Sequence, residues 1–275
     1  MNNQFAWKYY NNALIPTTSP FEAANVSELS QKEIWRKNPK ALLARWTSDY
    51  DCGYETNWWY VIKDTPFELS ELKAKRRYEI TKGVRNFDVQ IIEPQKYAEE
   101  IFCITKAAYS AWPAKYRPFV EKEEFVQSIK NWNNYEIYGA FSKSSGVLCA
   151  YGMLLRHDKW VDFCVLRADP AYEKLAINAA MVFRILENHK AFLQSGGCIC
   201  DGARSINHET AFQDYLEKYF GFRKAYCMLH IQFRPIIRVA SEILYLFKAQ
   251  LEKFDNIGIV HKINSVMKMR EYAEE

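Results

Sequence analysis

Glycine is scarce in this chain. Only 10 of its 275 residues are glycine, roughly half of what an average usage near ~7% would give. Neither glycine-rich phosphate-binding pattern, G-x-G-x-x-G or G-x-x-x-x-G-K-[ST], occurs in the sequence. We therefore expect no function built on a glycine-rich phosphate loop.

Long apolar runs are also missing. No stretch approaches the ~18–20 consecutive apolar residues of a membrane-spanning helix. The N-terminus has neither the basic region nor the continuous apolar core of a secretory signal peptide. Since 49% of the residues are hydrophobic and 25% are charged, the composition predicts an ordinary globular protein without a membrane span.

The cysteines do not follow the spacing of a metal site or a disulfide framework. They number seven, no pair has C-x-x-C spacing, and most lie in apolar segments such as 163–165. The five histidines are scattered. We therefore predict free thiols in a reducing compartment, the cytoplasm, with no metal and with Cys198 and Cys200 in the core.

No charge of one sign dominates. Lys and Arg number 37 against 33 Asp and Glu, which gives a formal net charge of +4. Because this excess is small and dispersed, the composition predicts no DNA partner.

Aromatic residues are abundant. They make up 16% of the chain, and seven of the eight tryptophans precede position 133. We interpret Trp58, Trp59 and Trp112 as aromatic core, with a sugar-stacking platform as the alternative.

Three zones are predicted along the chain: an N-terminal lobe over 1–86, an α/β domain over 87–234 and a helical extension over 235–275. In the lobe, 41–46 and 58–62 have the composition of strands. The charged segment 68–82 predicts a helix that ends at Gly83.

The middle zone has the clearest pattern, because strand-like alternation and helical spacing succeed one another between short polar breaks. The predicted order is a strand, two helices, a three-strand meander, a helix, a strand, a helix and a strand, over 87–92, 97–108, 122–132, 135–142, 147–156, 160–166, 172–193, 198–201, 207–219 and 225–233.

In the last zone an apolar stripe runs along a predicted helix over 236–251, and a second helix follows from 260. Such a stripe is expected to pack on its own domain. Contact with a membrane surface is the alternative.

The stretch 170–178, PAYEKLAIN, lies between a predicted strand and a predicted helix. Together with the order of elements, it resembles the donor-binding signature of the GNAT acyltransferase superfamily, P-x-x-[RQ]-x-x-G-x-G/A. The resemblance assigns the pyrophosphate of acetyl-CoA, or of another acyl-CoA, to the backbone N–H groups of Lys174, Leu175, Ala176, Ile177 and Asn178.

The chain departs from this signature at three positions. Glu173 stands where the family has Arg or Gln, and Ala176 and Asn178 replace glycines. A carboxylate opposes a pyrophosphate at a helix N-terminus, and the added side chains limit how closely the backbone can approach a ligand.

A second segment, over 207–222, resembles the family pattern N-x-x-A-x-x-x-Y-x-x-x-G-F with one or two residues inserted. The resemblance implies that Asn207 contacts the donor and that Tyr215 protonates the departing CoA thiolate. Tyr219 is the alternative acid because the spacing differs.

Two further segments, GCICDG over 197–202 and RRYEITKG over 76–83, are similar to the FemAB branch. In that branch an aminoacyl-tRNA donates the acyl group to a cell-wall precursor. The resemblance covers 70–234 and implies an α/β (α+β) fold of GNAT type, in which the strands over 160–166 and 198–201 run in parallel and part at their carboxyl ends. Its mixed central sheet has flanking helices and is extended by the aromatic lobe and the C-terminal helices.

Acyl transfer to an amine needs a base for the amine proton and an acid for the leaving group. Asp162 within a strand, Asp201 at the carboxyl end of the next strand and His208 after it are the candidate bases. Each has a structural interpretation as well. Asp162 could pair with a buried arginine such as Arg156, Asp201 could be a loop or cap carboxylate, His208 a surface residue, and Tyr215 a core residue.

The sequence thus predicts an N-acyltransferase that moves an acyl group from acyl-CoA to a small amine, such as an amino sugar of a surface polysaccharide precursor. One alternative is a FemAB-like transferase with tRNA as partner. Another is a GNAT-like module that has lost catalysis and serves binding or scaffolding.

Overall fold

The computed structural model describes residues 6–114, 117–206 and 211–274. Its strands are β1 (Trp7–Tyr10), β2 (Ala13–Pro16), β3 (Leu43–Ser48), β4 (Trp58–Lys63), β5 (Phe87–Ile91), β6 (Tyr135–Ser142), β7 (Leu148–Arg156), β8 (Trp160–Ala168), β9 (Cys198–Ala203) and β10 (Arg223–Phe233). Its α-helices are α1 (Lys32–Lys37), α2 (Ala74–Asn86), α3 (Ala98–Ser110), α4 (Lys122–Ile129), α5 (Ile177–Asn188), α6 (Lys190–Gln194), α7 (Ala211–Phe220), α8 (Pro235–Tyr245), α9 (Lys248–Glu252) and α10 (Gly258–Glu274).

These elements form two compact units. The first consists of described residues between 1 and 60, between 203 and 210 and from 224 onward, and the second of those over 61–202 and 211–223. The domain boundaries predicted at 86 and 234 divide the chain into consecutive segments, whereas these units are defined by contacts. The boundaries therefore stay a prediction.

In the first unit, β1 and β2 are antiparallel, β2 is parallel to β3, and β3 is antiparallel to β10. A cluster that includes Trp7, Leu14, Ile34 and Trp35 fills its core. Burial of each large apolar side chain stabilises the fold by about 1.5–3 kcal/mol. Trp58 belongs to a second buried cluster, which confirms its assignment to the core.

Helix α8 carries an exposed apolar face. Ile236, Val239 and Ile243 on α8, and Phe247 just after it, are all more than half exposed. The expectation that this stripe packs on its own domain is therefore wrong for these side chains. None of the helices described is both long and apolar enough to cross a bilayer.

The second unit contains the meander that the sequence predicted. Strands β5 to β8 are antiparallel neighbours, and β9 joins β8 in parallel. The order of strands and helices over the middle zone is confirmed. A mixed sheet results because the connection from β8 to β9 runs through α5 and α6, which is the crossover that a parallel pair requires.

Two helices in this unit differ from the prediction. Helix α2 continues through Gly83, where the sequence predicted its end, because this position faces a neighbouring helix and leaves no room for a side chain. The predicted helix over 172–193 is divided into a 3-10 turn (Pro170–Leu175), α5 and α6. The first break lies at Ala176, whose φ of 63° is left-handed.

Candidate active site

Strands β8 and β9 run in parallel and part before either of them ends. Their last paired positions are Asp162 and Cys200, whereas β8 continues to Ala168 and β9 to Ala203. The predicted parallel pair that opens at its carboxyl ends is therefore confirmed. In open α/β sheets, ligands bind outside the carboxyl ends of the strands.

A cleft of about 420 Å³ lies at this opening, within the second unit. This volume falls in the ~300–1,000 Å³ range of small-molecule sites. The polar and aromatic side chains in its lining include Trp112, Arg167, Glu173, Asn178, Asp201 and Phe212. Of the predicted site residues, the structure therefore brings Asp201 and Asn178 together here.

Asp201 is the acidic candidate with the most unusual environment. Burial raises the pKa of its carboxyl to about 7, and a hydrogen bond with the side chain of Gln213 acts in the opposite direction. Gln213 is itself buried on α7. A carboxyl group that titrates near neutral pH is suited to act as a general base there.

The segment before α5 forms one wall of the cleft. The Asp169 side chain accepts a hydrogen bond from the backbone N–H of Ala171 at 2.9 Å and so caps the 3-10 turn. The first backbone bond of α5 runs from the N–H of Ala180 to the carbonyl of Ala176 at 3.1 Å. The N–H groups of residues 177–179 consequently have no acceptor within the helix.

Side chains in this segment differ in exposure. Lys174 and Leu175 are exposed, Asn178 is half-buried, and Ala176 and Ile177 are buried. Their predicted role, binding of the donor pyrophosphate, depends on their backbone N–H groups and stays a prediction. An L-residue adopts the left-handed conformation of Ala176 at a cost of about 1–2 kcal/mol, whereas glycine adopts it without strain.

Tyr215 lies on α7 but is not among the residues that line the cleft. It packs against Phe212, Tyr219 and Phe220, with ring centroids 6.2, 4.9 and 5.6 Å away. Burial, followed by the charge of Glu79, raises the pKa of its phenol. The phenol therefore keeps its proton at neutral pH, and its raised pKa makes it a weaker acid than an exposed tyrosine.

Asp162 also lies outside the lining of the cleft. Its carboxylate is 3.0 Å from His157 Nε2, and the imidazole stacks on Trp160 at 3.8 Å. The proposed structural partner, Arg156, instead lies 3.8 Å from Glu136. The pairing of Asp162 with Arg156 is therefore wrong, because the hairpin between β7 and β8 turns His157 back onto β8.

Asn207 and His208 lie outside the described residues, so their predicted roles stay predictions. Arg167 and Gln213 were not among the predicted site residues, and Trp112 was not predicted to line a cleft with Asp201. Arg167 had a recognisable signal, since it is a charged residue near the end of a largely apolar strand, next to the donor signature. Gln213 had none, because its contact with Asp201 joins two elements across the fold.

All seven cysteines are free. Burial raises the pKa of Cys198 to about 11 and raises that of Cys200 further. Thiols with raised pKa values are poor nucleophiles at neutral pH. Among the residues described, no group of three His, Cys, Asp or Glu side chains is placed to hold a metal ion.

Neither a protein-family profile nor a curated protein matches this sequence. Solved structures do match its fold. FemX has a TM-score of 0.53 at 8% identity, over 85% of each chain. A conserved protein of unknown function from Bacteroides thetaiotaomicron has a TM-score of 0.50 at 10% identity, over 80% of this chain and 78% of that one.

L-PGS from Bacillus licheniformis is also similar, with a TM-score of 0.49 at 11% identity over 83% of this chain and 79% of its own. At these identities the likeness concerns the fold. The predicted fold, a mixed sheet with flanking helices, is confirmed by the similarity to FemX.

Proposed function

We propose that this protein is an N-acyltransferase that transfers an acyl group from acyl-CoA, acetyl-CoA being the simplest, to a small amine. The observation that carries the proposal is the opening between β8 and β9, where Asp201 lines a cleft of about 420 Å³. The opening gives a thioester and an amine a common site, and Asp201 supplies a base beside it.

The donor would bind at the N-terminus of α5. Free N–H groups and the helix dipole at this end favour the pyrophosphate of CoA. Glu173 lines the same cleft and opposes this charge. We therefore expect CoA to bind, but less tightly than at a site with Arg or Gln in this position.

In the proposed reaction Asp201 accepts a proton from the acceptor ammonium. The amine nitrogen then attacks the thioester carbon, the C–N bond forms, and the C–S bond breaks. Tyr215, or Tyr219, protonates the thiolate that leaves, and the second proton that the nitrogen loses on becoming an amide returns to that tyrosine. Because neither tyrosine lines the cleft, this step requires the sulfur of CoA to approach α7. This chemistry requires no metal, and we place it in the cytoplasm, consistent with seven free thiols.

An amino sugar of a surface polysaccharide precursor is the acceptor we favour. Trp112 lines the cleft and is 38% exposed, so its ring offers a face on which a sugar can stack. This observation supports the sugar-stacking alternative for Trp112, whereas the FemAB-like motifs support a cell-surface precursor.

Calorimetry with CoA tests the donor. Wild type should release heat on binding, and Glu173→Gln should bind roughly three- to tenfold more tightly because a like charge is removed. Glu187→Gln, which removes the same charge at an exposed position near the other end of α5, is the matched control. Absence of binding to both wild type and Glu173→Gln would contradict the acyl-CoA proposal.

Turnover with a panel of amino sugars, amino acids and polyamines tests the base. Asp201→Asn should lose activity at neutral pH and recover part of it as pH rises, because an amine with a pKa below ~10.4 then loses its proton to water. Asp162→Asn is the matched control and should stay active. Equal activity of both variants would exclude Asp201 as the base.

A second candidate, transfer from an aminoacyl-tRNA, is favoured by a separate feature of the first unit. The Arg204 guanidinium lies 4.1 Å from the ring of Trp59 and 4.2 Å from that of Tyr272. Lys224 lies 4.5 Å from the ring of Trp59. Cations that alternate with aromatic rings are typical of surfaces that bind single-stranded nucleic acid.

Binding of tRNA distinguishes the two donors. If tRNA is the donor, Lys224→Ala should weaken its binding and reduce the dependence of binding on salt, while Lys174→Gln should not. If tRNA does not bind at physiological salt, the acyl-CoA proposal stands alone. Without turnover from either donor, the binding-module alternative would replace both.

A further inference from the structure

Arg167 is a cation in the lining of the cleft whose position is fixed by aromatic rings. Its guanidinium carbon lies 5.2 Å from the ring centroid of Tyr109 and 5.4 Å from that of Trp112. The two rings pack against each other edge to face at 4.9 Å. Contacts of this kind with two rings hold a guanidinium in place and reduce the entropy that it loses on binding a ligand.

Within the described residues, Arg167 has no carboxylate partner. Its protein contacts are the two rings and one hydrogen bond, from Nη1 to the carbonyl of Leu166 at 3.0 Å. A guanidinium has five N–H donors and stays charged at every pH that a protein tolerates. Most of these donors are therefore left for water or for a ligand.

We propose that Arg167 is a binding subsite for an anionic group, a carboxylate or a phosphate, on the amine acceptor. This inference rests on the proposed function and narrows its acceptor to an amine that also bears a negative charge. Arg167 matches both kinds of group, because its planar fork pairs with two oxygens at once.

The acceptor is favoured over the donor as the source of this anion for two reasons. The donor pyrophosphate already has the N-terminus of α5 under the proposed function. Asp201, which must meet the acceptor amine, lines the same cleft as Arg167. An acceptor held by its anion at Arg167 can thus present its amine to Asp201.

Binding measured without any donor tests the inference. The probes are two pairs that differ in the anion alone: glucosamine 6-phosphate with glucosamine, and glycine with glycinamide. In isothermal titrations, wild type should bind the anionic member of at least one pair about 10- to 100-fold more tightly than its neutral counterpart.

Arg167→Gln should abolish this preference and leave the affinity for the neutral amine unchanged. Arg167→Lys should keep part of the preference for the anionic amine, since the positive charge remains but the planar guanidinium that pairs with two oxygens is lost. Arg184→Gln, at an exposed position of α5, is the control and should behave as wild type. Thermal melts of all variants check that the cleft still folds, and Arg167→Lys keeps the test valid if Arg167→Gln unfolds.

Three results would overturn the inference. Wild type could show no preference for either anion, the preference could survive in Arg167→Gln, or Arg167→Gln could weaken the binding of CoA rather than that of the anionic amines.

Measurements of turnover distinguish a failure of the Arg167 subsite from a failure of the proposed function. If neutral amines are acylated at the same rate by wild type and by Arg167→Gln, and no anion preference is found, the acyltransferase proposal is kept and the subsite is rejected. If anionic amines bind more tightly than neutral ones in an Arg167-dependent way, but no donor gives turnover, the subsite is kept and the acyltransferase proposal is rejected.

Discussion

Gly83 lies directly against the carbonyl oxygen of Ala176. A Cβ atom at Gly83 would be 2.4 Å from that oxygen and 3.0 Å from the backbone nitrogen of Ala180. Helix α2 thus supports the turn from which α5 begins, and it does so through backbone. Since backbone atoms cannot rotate away as a flexible side chain can, the contact tolerates only glycine in α2.

Gly83→Ala should therefore destabilise the protein, although alanine is the better helix former by about 1 kcal/mol. We expect the free energy of unfolding to fall by about 1–3 kcal/mol, the usual cost of overpacking, as measured by urea denaturation. Gly258→Ala, in α10, is the control because nothing lies within 4 Å of its Cβ position. A Gly83→Ala variant as stable as this control would contradict the close approach.

Ala176→Gly should stabilise the protein. Glycine adopts the left-handed conformation at 176 without strain, while the greater freedom of the unfolded chain offsets part of the gain. The net increase in the free energy of unfolding should be about 0.5–1 kcal/mol. Ala240→Gly, at an exposed position inside α8, should instead lose about 1 kcal/mol. Equal losses in both variants would mean that Ala176 is not left-handed.

Asp201→Asn should change how stability depends on pH. Because the carboxyl pKa is raised to about 7 in the folded state, from ~3.9 when unfolded, the protonated form contributes stability that is complete below ~4 and is lost as pH rises through 7. Asparagine cannot ionise. Relative to wild type, the variant should gain about 1–3 kcal/mol between pH 5 and pH 8.

Thermal melts at both pH values measure this gain, with Asp214→Asn, at an exposed position of α7, as the control. A difference between Asp201→Asn and wild type that stays constant with pH would show that Asp201 does not titrate in this window.

Tyr215→Phe tests the predicted acid. The change should lower turnover by about 10²–10⁴-fold, as loss of a general acid does. The melting temperature should hardly change, because the ring contacts with Phe212 and Tyr219 remain. A variant that keeps its rate would transfer the role to Tyr219, for which Tyr219→Phe is the matched experiment.

The sequence by itself determined the order of elements in the middle zone, because hydrophobic periodicity is a local property. The parallel pair of β8 and β9 was predicted as well, since the family that the motifs resemble opens its sheet between these two strands. Asp201 was identified as a candidate for a simple reason: it is a carboxylate at the end of a strand.

Only the tertiary structure decided which candidates share a cleft. The raised pKa of Asp201 depends on burial and on Gln213, which the chain brings from another element. Gly83 is followed by further helix because of its contact with Ala176, and Asp162 contacts His157 because of a hairpin. Arg167 likewise owes its position to the rings of Tyr109 and Trp112, which it contacts together. Apart from the contact within the hairpin, these relationships join residues on different elements, and a local pattern carries no information about them.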